Sequence, residues 1–388
     1  MLIYHIIIDL DVGGAELMLK RLIESHHSDA RFKHGVISLT NLGVVGAQLV
    51  EIGVDVHVLG MRSILDVPAA SLRLVRLINQ LRPDIIQTWM YHADLIGGIA
   101  ACMSSVKNVI WGIRTTDVSS GGSRVTAWVR WLCARLSCWI PHTIICAAEV
   151  SRSVHVAMGY CADRMVVVPN GFDLARLRAS QSEVAALRSE CGFESGALIL
   201  GTLGRFNAVK DPHNFVRAAG RLARECPVAR FMMVGRDFDD ANTILINWIA
   251  ATGYADRFVL LGERSDVPVC LAVMDVFCLS SRTECFPNVV GEAMAMRKVC
   301  VVTDVGDAAY LLGDCGVVVP KENSVALADG MAKLLCLSSA GRAELGDRAH
   351  DRIASEFTMA RARERFEVVY VNVLSGQAPH QVNRNTQG

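Results

Sequence analysis

Short apolar runs alternate with longer amphipathic stretches along almost the whole chain. Runs of strand type occur at Leu2–Asp9, Gly35–Leu39, Val54–Val58, Asp84–Thr88, Asn108–Ile113, Thr143–Ala147 and Met165–Val168. A second series follows at Leu198–Leu203, Arg230–Val234, Phe258–Leu261, Asp275–Leu279, Val299–Thr303 and Gly316–Val319. Stretches with helical periodicity separate them. Strands that are apolar throughout, rather than at every second position, are buried on both faces, so the alternation predicts parallel sheets covered by helices. Regular alternation pauses at Asp173–Gly196. The expected organisation is a domain over 1–175, a second over 196–357, a helix over 358–375 and a disordered tail over 376–388.

Composition narrows the class. The 388 residues are 52% hydrophobic and 20% charged, with 39 Lys+Arg against 39 Asp+Glu. That balance supplies no basic patch for nucleic acid. The 13 cysteines include no C-x-x-C pair and read as small buried hydrophobes in a reducing compartment. The opening MLIYHIIIDLD turns acidic at once and reads as a strand, not a signal peptide. No apolar run is long enough to predict a membrane span, so a cytoplasmic protein is expected. Ser123–Ile140 carries Trp128, Trp131 and Trp139 with Arg124, Arg130 and Arg135. That pattern suits peripheral contact with the inner face of a membrane. A core helix with snorkelling arginines explains it too, and is the reading the pattern favours.

The candidate chemistry sits at the ends of strands. After Leu279, residues Ser280–Thr283 break the strand, and helical periodicity starts at Phe286 with Pro287 placed as a first-turn proline. Glu284 stands before this helix and Glu292 stands one to two turns into it. Phosphate suits such a helix start, and Glu292 could then reach the outer hydroxyls of the same ligand. Arg205 and Lys210 lie on the loop that follows Leu203, where two phosphates would satisfy both cations and the tip of the helix Asp211–Glu225. Gly13 and Gly14 follow the first strand and permit a tight turn. Asp94 or His92 could cap the helix after Thr88. Arg114 ends another strand, and Arg264 lies on the loop after Leu261. Asp9-x-Asp11 and Asp237-x-Asp239 are poorly placed for a metal, and no metal ligands are expected.

The stretch ECFPNVVGEAMA resembles the signature of retaining GT-B glycosyltransferases of the family 4 type, also called glycosyl transferases group 1. Gly204-Arg205 with Lys210-Asp211, Gly13-Gly14-x-Glu16 and Pro169-Asn170-Gly171-Phe172-Asp173 are similar to further motifs of that family. The resemblance implies two Rossmann-like domains facing across a cleft, with the C-terminal helix crossing back onto the N-terminal domain. It implies a nucleotide-diphosphate sugar as co-substrate, a UDP-sugar or GDP-mannose, and no cofactor. The acceptor would be a glycan or polyprenyl-linked hydroxyl in surface polysaccharide synthesis. Arg205, Lys210 and Glu284 would be catalytic. Gly13, Gly14, Arg264, Phe286, Pro287, Asn288 and Glu292 would also bind the donor. Glu16, His92 and Arg114 would face the acceptor. Many relatives carry His where this chain has Arg114, and an arginine cannot act as a general base. The rival readings are a nucleotide-sugar 2-epimerase on a similar scaffold and a non-catalytic partner subunit.

Overall fold

The computed structural model describes residues 1–104, 106–116 and 124–379. It divides into two units. The first comprises Met1–Gly171 and the segment from Met359 onward; the second is Phe172–Thr358. The segment over 176–195, left outside both predicted domains, contributes the helix Gln181–Glu190 to the second unit. The last helix, Met359–Ser375, belongs to the first.

The first unit has seven strands: β1 (Leu2–Ile7), β2 (Lys33–Ser38), β3 (Asp55–Val58), β4 (Ile85–Thr88), β5 (Val109–Ile113), β6 (Thr143–Cys146) and β7 (Met165–Val167). They form one parallel sheet in the order β3-β2-β1-β4-β5-β6-β7, with Leu2 opposite Lys33 and Ile3 opposite Ile85. The second unit has β8 (Leu198–Leu203), β9 (Ala229–Val234), β10 (Phe258–Leu260), β11 (Val276–Leu279), β12 (Val299–Thr303) and β13 (Gly316–Val319). Their order is β10-β9-β8-β11-β12-β13, again parallel. Each apolar run of the sequence is one of these strands. In both sheets the winding reverses once, between β1 and β4 and between β8 and β11. Ligands of open α/β sheets bind at the carboxyl edge of such a reversal.

The chain enters the second unit at Phe172 and leaves it at Thr358, and these two residues form an isolated parallel bridge. The Phe172 N–H donates to the Phe357 carbonyl at 2.8 Å. The ring of Phe172 lies so close to Gly291 that a side chain there would overlap it.

The helix Arg124–Leu136 corrects the sequence reading; Ser123, its expected first residue, lies outside the described residues. Val129, Cys133 and Ala134 are its buried face, whereas Trp128, Trp131 and Trp139 are 61%, 51% and 81% exposed. The tryptophans are therefore not core. The Arg135 guanidinium stacks over Trp131 at 5.4 Å from the ring centroid.

The first unit buries a row of histidines. The Trp89 indole donates to His5 Nδ1 at 3.2 Å, His5 Nε2 meets His34 Nδ1 at 2.9 Å, and His34 Nε2 meets His26 Nδ1 at 3.1 Å. His26 Nε2 then stands 3.3 Å from Glu367 on the last helix. An indole N–H can only donate, so it sets the direction through the first two rings: neutral His5 and His34 each accept at Nδ1 and donate from Nε2. His26 Nδ1 also faces the Leu22 carbonyl at 3.1 Å, which can only accept. Burial pushes all three imidazole pKa values down, that of His34 to about 3.

Candidate functional site

At the reversal of the second sheet two loops are joined residue by residue. The loop after β8 begins at Gly204. Gly235, at φ +133°, crosses the Gly204 carbonyl with no room for a Cβ. The loop then makes a single 3₁₀ turn, Ala208–Lys210, whose Val209 N–H is capped by Asn207 Oδ1 at 2.9 Å. The loop after β11 lies along it. Arg282 N–H donates to the Val209 carbonyl at 2.8 Å, and Ser280 Oγ to the Lys210 carbonyl at 2.9 Å. Lys210 Nζ donates to Glu284 Oε1 at 2.6 Å, and Ser281 Oγ donates to the same oxygen at 2.7 Å. Thr303 Oγ1 holds the Ser281 carbonyl at 2.8 Å, and Asp307 N–H holds the Cys285 carbonyl at 2.9 Å. Gly306, at φ +55°, lies against the Glu284 carbonyl too closely for a side chain.

The fold thus brings Lys210 and Glu284 together, and it does so with residues to which the sequence reading gave no supporting role. Ser281, Arg282, Thr303 and Asp307 are the supports. In the sequence Ser280 and Ser281 show only as strand breakers; their position between an apolar strand and a glutamate is the signal that could have found them. Arg205 is exposed and makes no hydrogen bond or ion pair among the described residues. Glu292 and Asn288 are half-buried on the helix Asn288–Ala295, which starts one residue later than expected, so Pro287 is its N-cap.

Three expectations are corrected. The helix Pro212–Glu225 does not offer an open tip to phosphate: Asp211, left-handed at φ +47°, caps it by accepting from Asn214 N–H, and also takes the Arg282 guanidinium at 2.9 Å. Phe286 is only 6% exposed and packs with Phe172 and Phe357, at centroid distances of 6.2 and 5.9 Å. Its ring anchors the Glu284 loop from within the core. The Arg264 guanidinium forks onto Asp266 with two bonds of 2.8 Å and reaches Glu190 at 3.0 Å. It ties its loop to the helix Gln181–Glu190.

In the first unit, the loop after β1 leads into the helix Gly14–His26, with Gly13 as its extended N-cap. The Glu16 carboxylate folds back over Gly13, its Oε2 2.2 Å from where a Cβ would stand. Burial, with Asp9 and Asp11 nearby, pushes its pKa up. Asp9 Oδ1 accepts from the Asp11 N–H at 3.1 Å, a turn within the loop itself. His92 is half-buried in the first turn of the helix Tyr91–Met103, and burial lowers its pKa. Asp94 caps nothing. It is fully buried, accepting from Thr88 Oγ1 and from the Gly112 N–H, and burial pushes its pKa up to about 8. Arg114 is taken up by packing: its guanidinium lies 4.8 Å from the Trp89 ring centre and 5.7 Å from that of Phe366, and donates to Asn170. Among the described residues there is no His/Cys/Asp/Glu group able to hold a metal, and no helix long and apolar enough to cross a membrane.

Comparison with known proteins gives the same two halves. The model of glycosyltransferase family 4 matches residues 12–176, and that of glycosyl transferases group 1 matches residues 197–336. The chain is 24% identical over 239 residues to the UDP-Gal:α-D-GlcNAc-diphosphoundecaprenol α-1,3-galactosyltransferase of Escherichia coli, covering 60% of each protein. It is 28% identical over 194 residues to the N-acetyl-α-D-glucosaminyl L-malate synthase of Bacillus anthracis, covering 50% of each. The matched stretch thus spans between half and three fifths of these curated relatives. Anabaena HepE, solved in complex with UDP, has the same fold: TM-score 0.84 at 20% identity, over 96% of this chain and 100% of that one. With both units matched by their respective models, the chain belongs to the group 1 and family 4 glycosyltransferases of GT-B fold.

Proposed function

We propose that this chain transfers a sugar from a nucleotide-diphosphate sugar to a hydroxyl of a glycan or lipid-linked acceptor, with retention of configuration, in the synthesis of a bacterial surface polysaccharide. The observation that carries this reading is the Lys210–Glu284–Ser281 cluster at the reversal of the second sheet. A departing nucleoside diphosphate accumulates negative charge, and a positioned ammonium stabilises it without a metal. Lys210 has three N–H donors and directs one of them at Glu284. The others are suited to phosphate oxygens, with Arg205 on the same loop as second cation. Glu284 is assigned to the donor-sugar side, where negative charge favours an oxocarbenium-like transition state. Glu292 is assigned to the ribose hydroxyls. Attack comes from the same face as departure, and the leaving phosphate accepts the acceptor's proton. Glu16 and His92 remain as acceptor-side candidates, Arg114 being engaged in packing.

A UDP-sugar is the favoured donor, with GDP-mannose second. The E. coli relative is named for UDP-Gal, and HepE was solved with UDP. A thermal-shift panel of UDP, GDP, ADP and TDP in excess EDTA tests the reading. UDP is expected to raise the unfolding midpoint most, since a ligand at about 100 times its Kd adds about 2.7 kcal/mol to the native state. If none of the four shifts the midpoint, the donor assignment is wrong.

The diphosphoundecaprenol in the name of the E. coli relative favours an acceptor presented at a membrane, visited from the cytoplasm. Trp128 and Trp131 on the helix Arg124–Leu136, with Trp139 just beyond it, are the surface suited to that visit. Arg130 is half-buried, so Arg135 is the arginine to change. Trp131→Ala with Arg135→Glu is expected to reduce co-sedimentation with phosphatidylglycerol vesicles several-fold in a normally folded protein. Undiminished binding would move the contact elsewhere.

A further inference from the structure

The helix Pro212–Glu225 carries a second feature, away from the Lys210 loop. His213, Arg217, Arg221 and Arg224 project from it at steps of four, four and three residues. At 3.6 residues per turn they share an arc of about 80° over about 16 Å of helix. They form one wall of a groove of about 440 Å³. Trp248 and Thr252 form the facing wall and Ser324 lies at its edge. The walls are drawn together at Gly220, where a Cβ would press on the Thr252 side chain at 2.8 Å. The rings of His213 and Trp248 lie 4.7 Å apart, centre to centre.

We infer that this groove binds the polyphosphate group of a soluble ligand, at a site separate from the Lys210–Glu284 loops. Its three arginines make no ion pair, hydrogen bond or ring contact among the described residues. Several other arginines of the unit rest on carboxylates, Arg236 on Glu263, Arg264 on Asp266, Arg282 on Asp211 and Arg348 on Asp314, whereas Arg205 on the Lys210 loop, like these three, has no partner among the described residues. Like charges three and four residues apart on a helix repel, and the groove supplies a single carboxylate, Glu225, at its far end. A ligand with several negative charges relieves that repulsion. Guanidinium groups favour phosphate because their paired N–H donors match two phosphate oxygens at once. The concavity decides between sources of phosphate. A volume of this size is that of a small-molecule site, and a flat lipid surface cannot enter between the helix and Trp248. The His213–Trp248 pair gives an aromatic end against which a planar group of the ligand can rest.

Inorganic tripolyphosphate, titrated calorimetrically into the full chain at moderate ionic strength, is the probe. Arg217→Ala/Arg221→Ala is expected to weaken its binding by about tenfold or more. Arg217→Lys/Arg221→Lys should lose less, and Lys210→Ala should change this binding less than about twofold. Arg217, Arg221 and Arg224 are exposed, so the thermal midpoint should not move. Should the double variant misfold, Arg224→Ala alone is expected to weaken binding about threefold. Unchanged affinity in the arginine variants, or binding abolished by Lys210→Ala, would overturn the proposal. So would sedimentation with phosphatidylglycerol vesicles that depends on Arg217 and Arg221 while tripolyphosphate gives no heat, since the surface would then be a lipid contact.

Discussion

Lys210→Ala is expected to lower sugar transfer by about 10²–10³-fold, the usual cost of removing one preorganised charge from a developing anion. The drop should fall on kcat as well as kcat/KM, because the charge on the leaving diphosphate is greatest in the transition state. Lys210 is also the partner of Glu284, whose side chain is only 11% exposed. Ser281 Oγ stays bonded to that carboxylate in the variant, so the loop keeps one of its anchors. Circular dichroism and the thermal midpoint should therefore change little. Arg205→Ala, on an exposed side chain, should likewise reduce turnover and leave stability alone. Near-normal turnover in the folded Lys210 variant would remove Lys210 from the chemistry.

The second large effect is on stability against pH, and it runs in opposite directions on the two sides of neutrality. Asp94 has its pKa raised to about 8 by burial. Its folded form keeps a proton that the unfolded chain releases above about pH 4. Stability therefore falls as pH rises toward 8, by about 1.4 kcal/mol per pH unit. His5, His34 and His26 have lowered pKa values, so the unfolded chain takes up protons below about pH 6.5 that the folded chain refuses. Each imidazole that stays neutral removes about 1.4 kcal/mol per unit as pH falls. Arg363 opposes protonation of His26 and Glu367 favours it. The first unit is thus expected to be most stable near pH 6.5. Asp94→Asn should remove the alkaline arm, about 2 kcal/mol between pH 6.5 and 8, and leave the acid arm. Denaturant unfolding of both proteins across that range measures it. A constant difference between them would mean that Asp94 is ionised in the fold.

What could be read in the sequence follows from how far apart the interacting residues are. Most of the thirteen strands among the described residues were legible as near-continuous apolar runs, because burial on both faces leaves that mark in the local sequence; β3, Asp-Val-His-Val and partly exposed, carries it least. Gly204, Lys210 and Glu284 were legible because chemistry at a strand end needs few residue types. Their contact was not: Lys210 and Glu284 are on loops that meet only because the sheet reverses between β8 and β11. The tryptophan helix misled because size was taken for burial. Its true inner face is Val129, Cys133 and Ala134, with the Cys133 thiol donating to the Tyr91 carbonyl, and small residues let two helices approach closely. Phe286 misled in the opposite way: beside a glutamate it looks like a ligand contact, yet it fills the space between two other phenylalanines. The histidine row could not be seen, since its members come from β1, β2 and a helix, and its carboxylate end from the last helix.

The return of that last helix to the first unit has a consequence for biosynthesis. Tyr370 donates to the buried Gln87 at 2.6 Å, Arg363 pairs with Asp29, and Phe366 packs with Trp89 in the same core. The second unit, Phe172–Thr358, is one uninterrupted stretch, whereas the first is closed by residues translated after it. At about 5–20 residues per second, the earlier-made half spends roughly ten to forty seconds on the ribosome before its closing helix is translated. For that interval Trp89 and Phe32 lack their full apolar cover from Phe366 and Tyr370. The half of the protein made second is the first that can finish folding, and the nascent first half is the stretch most in need of a chaperone.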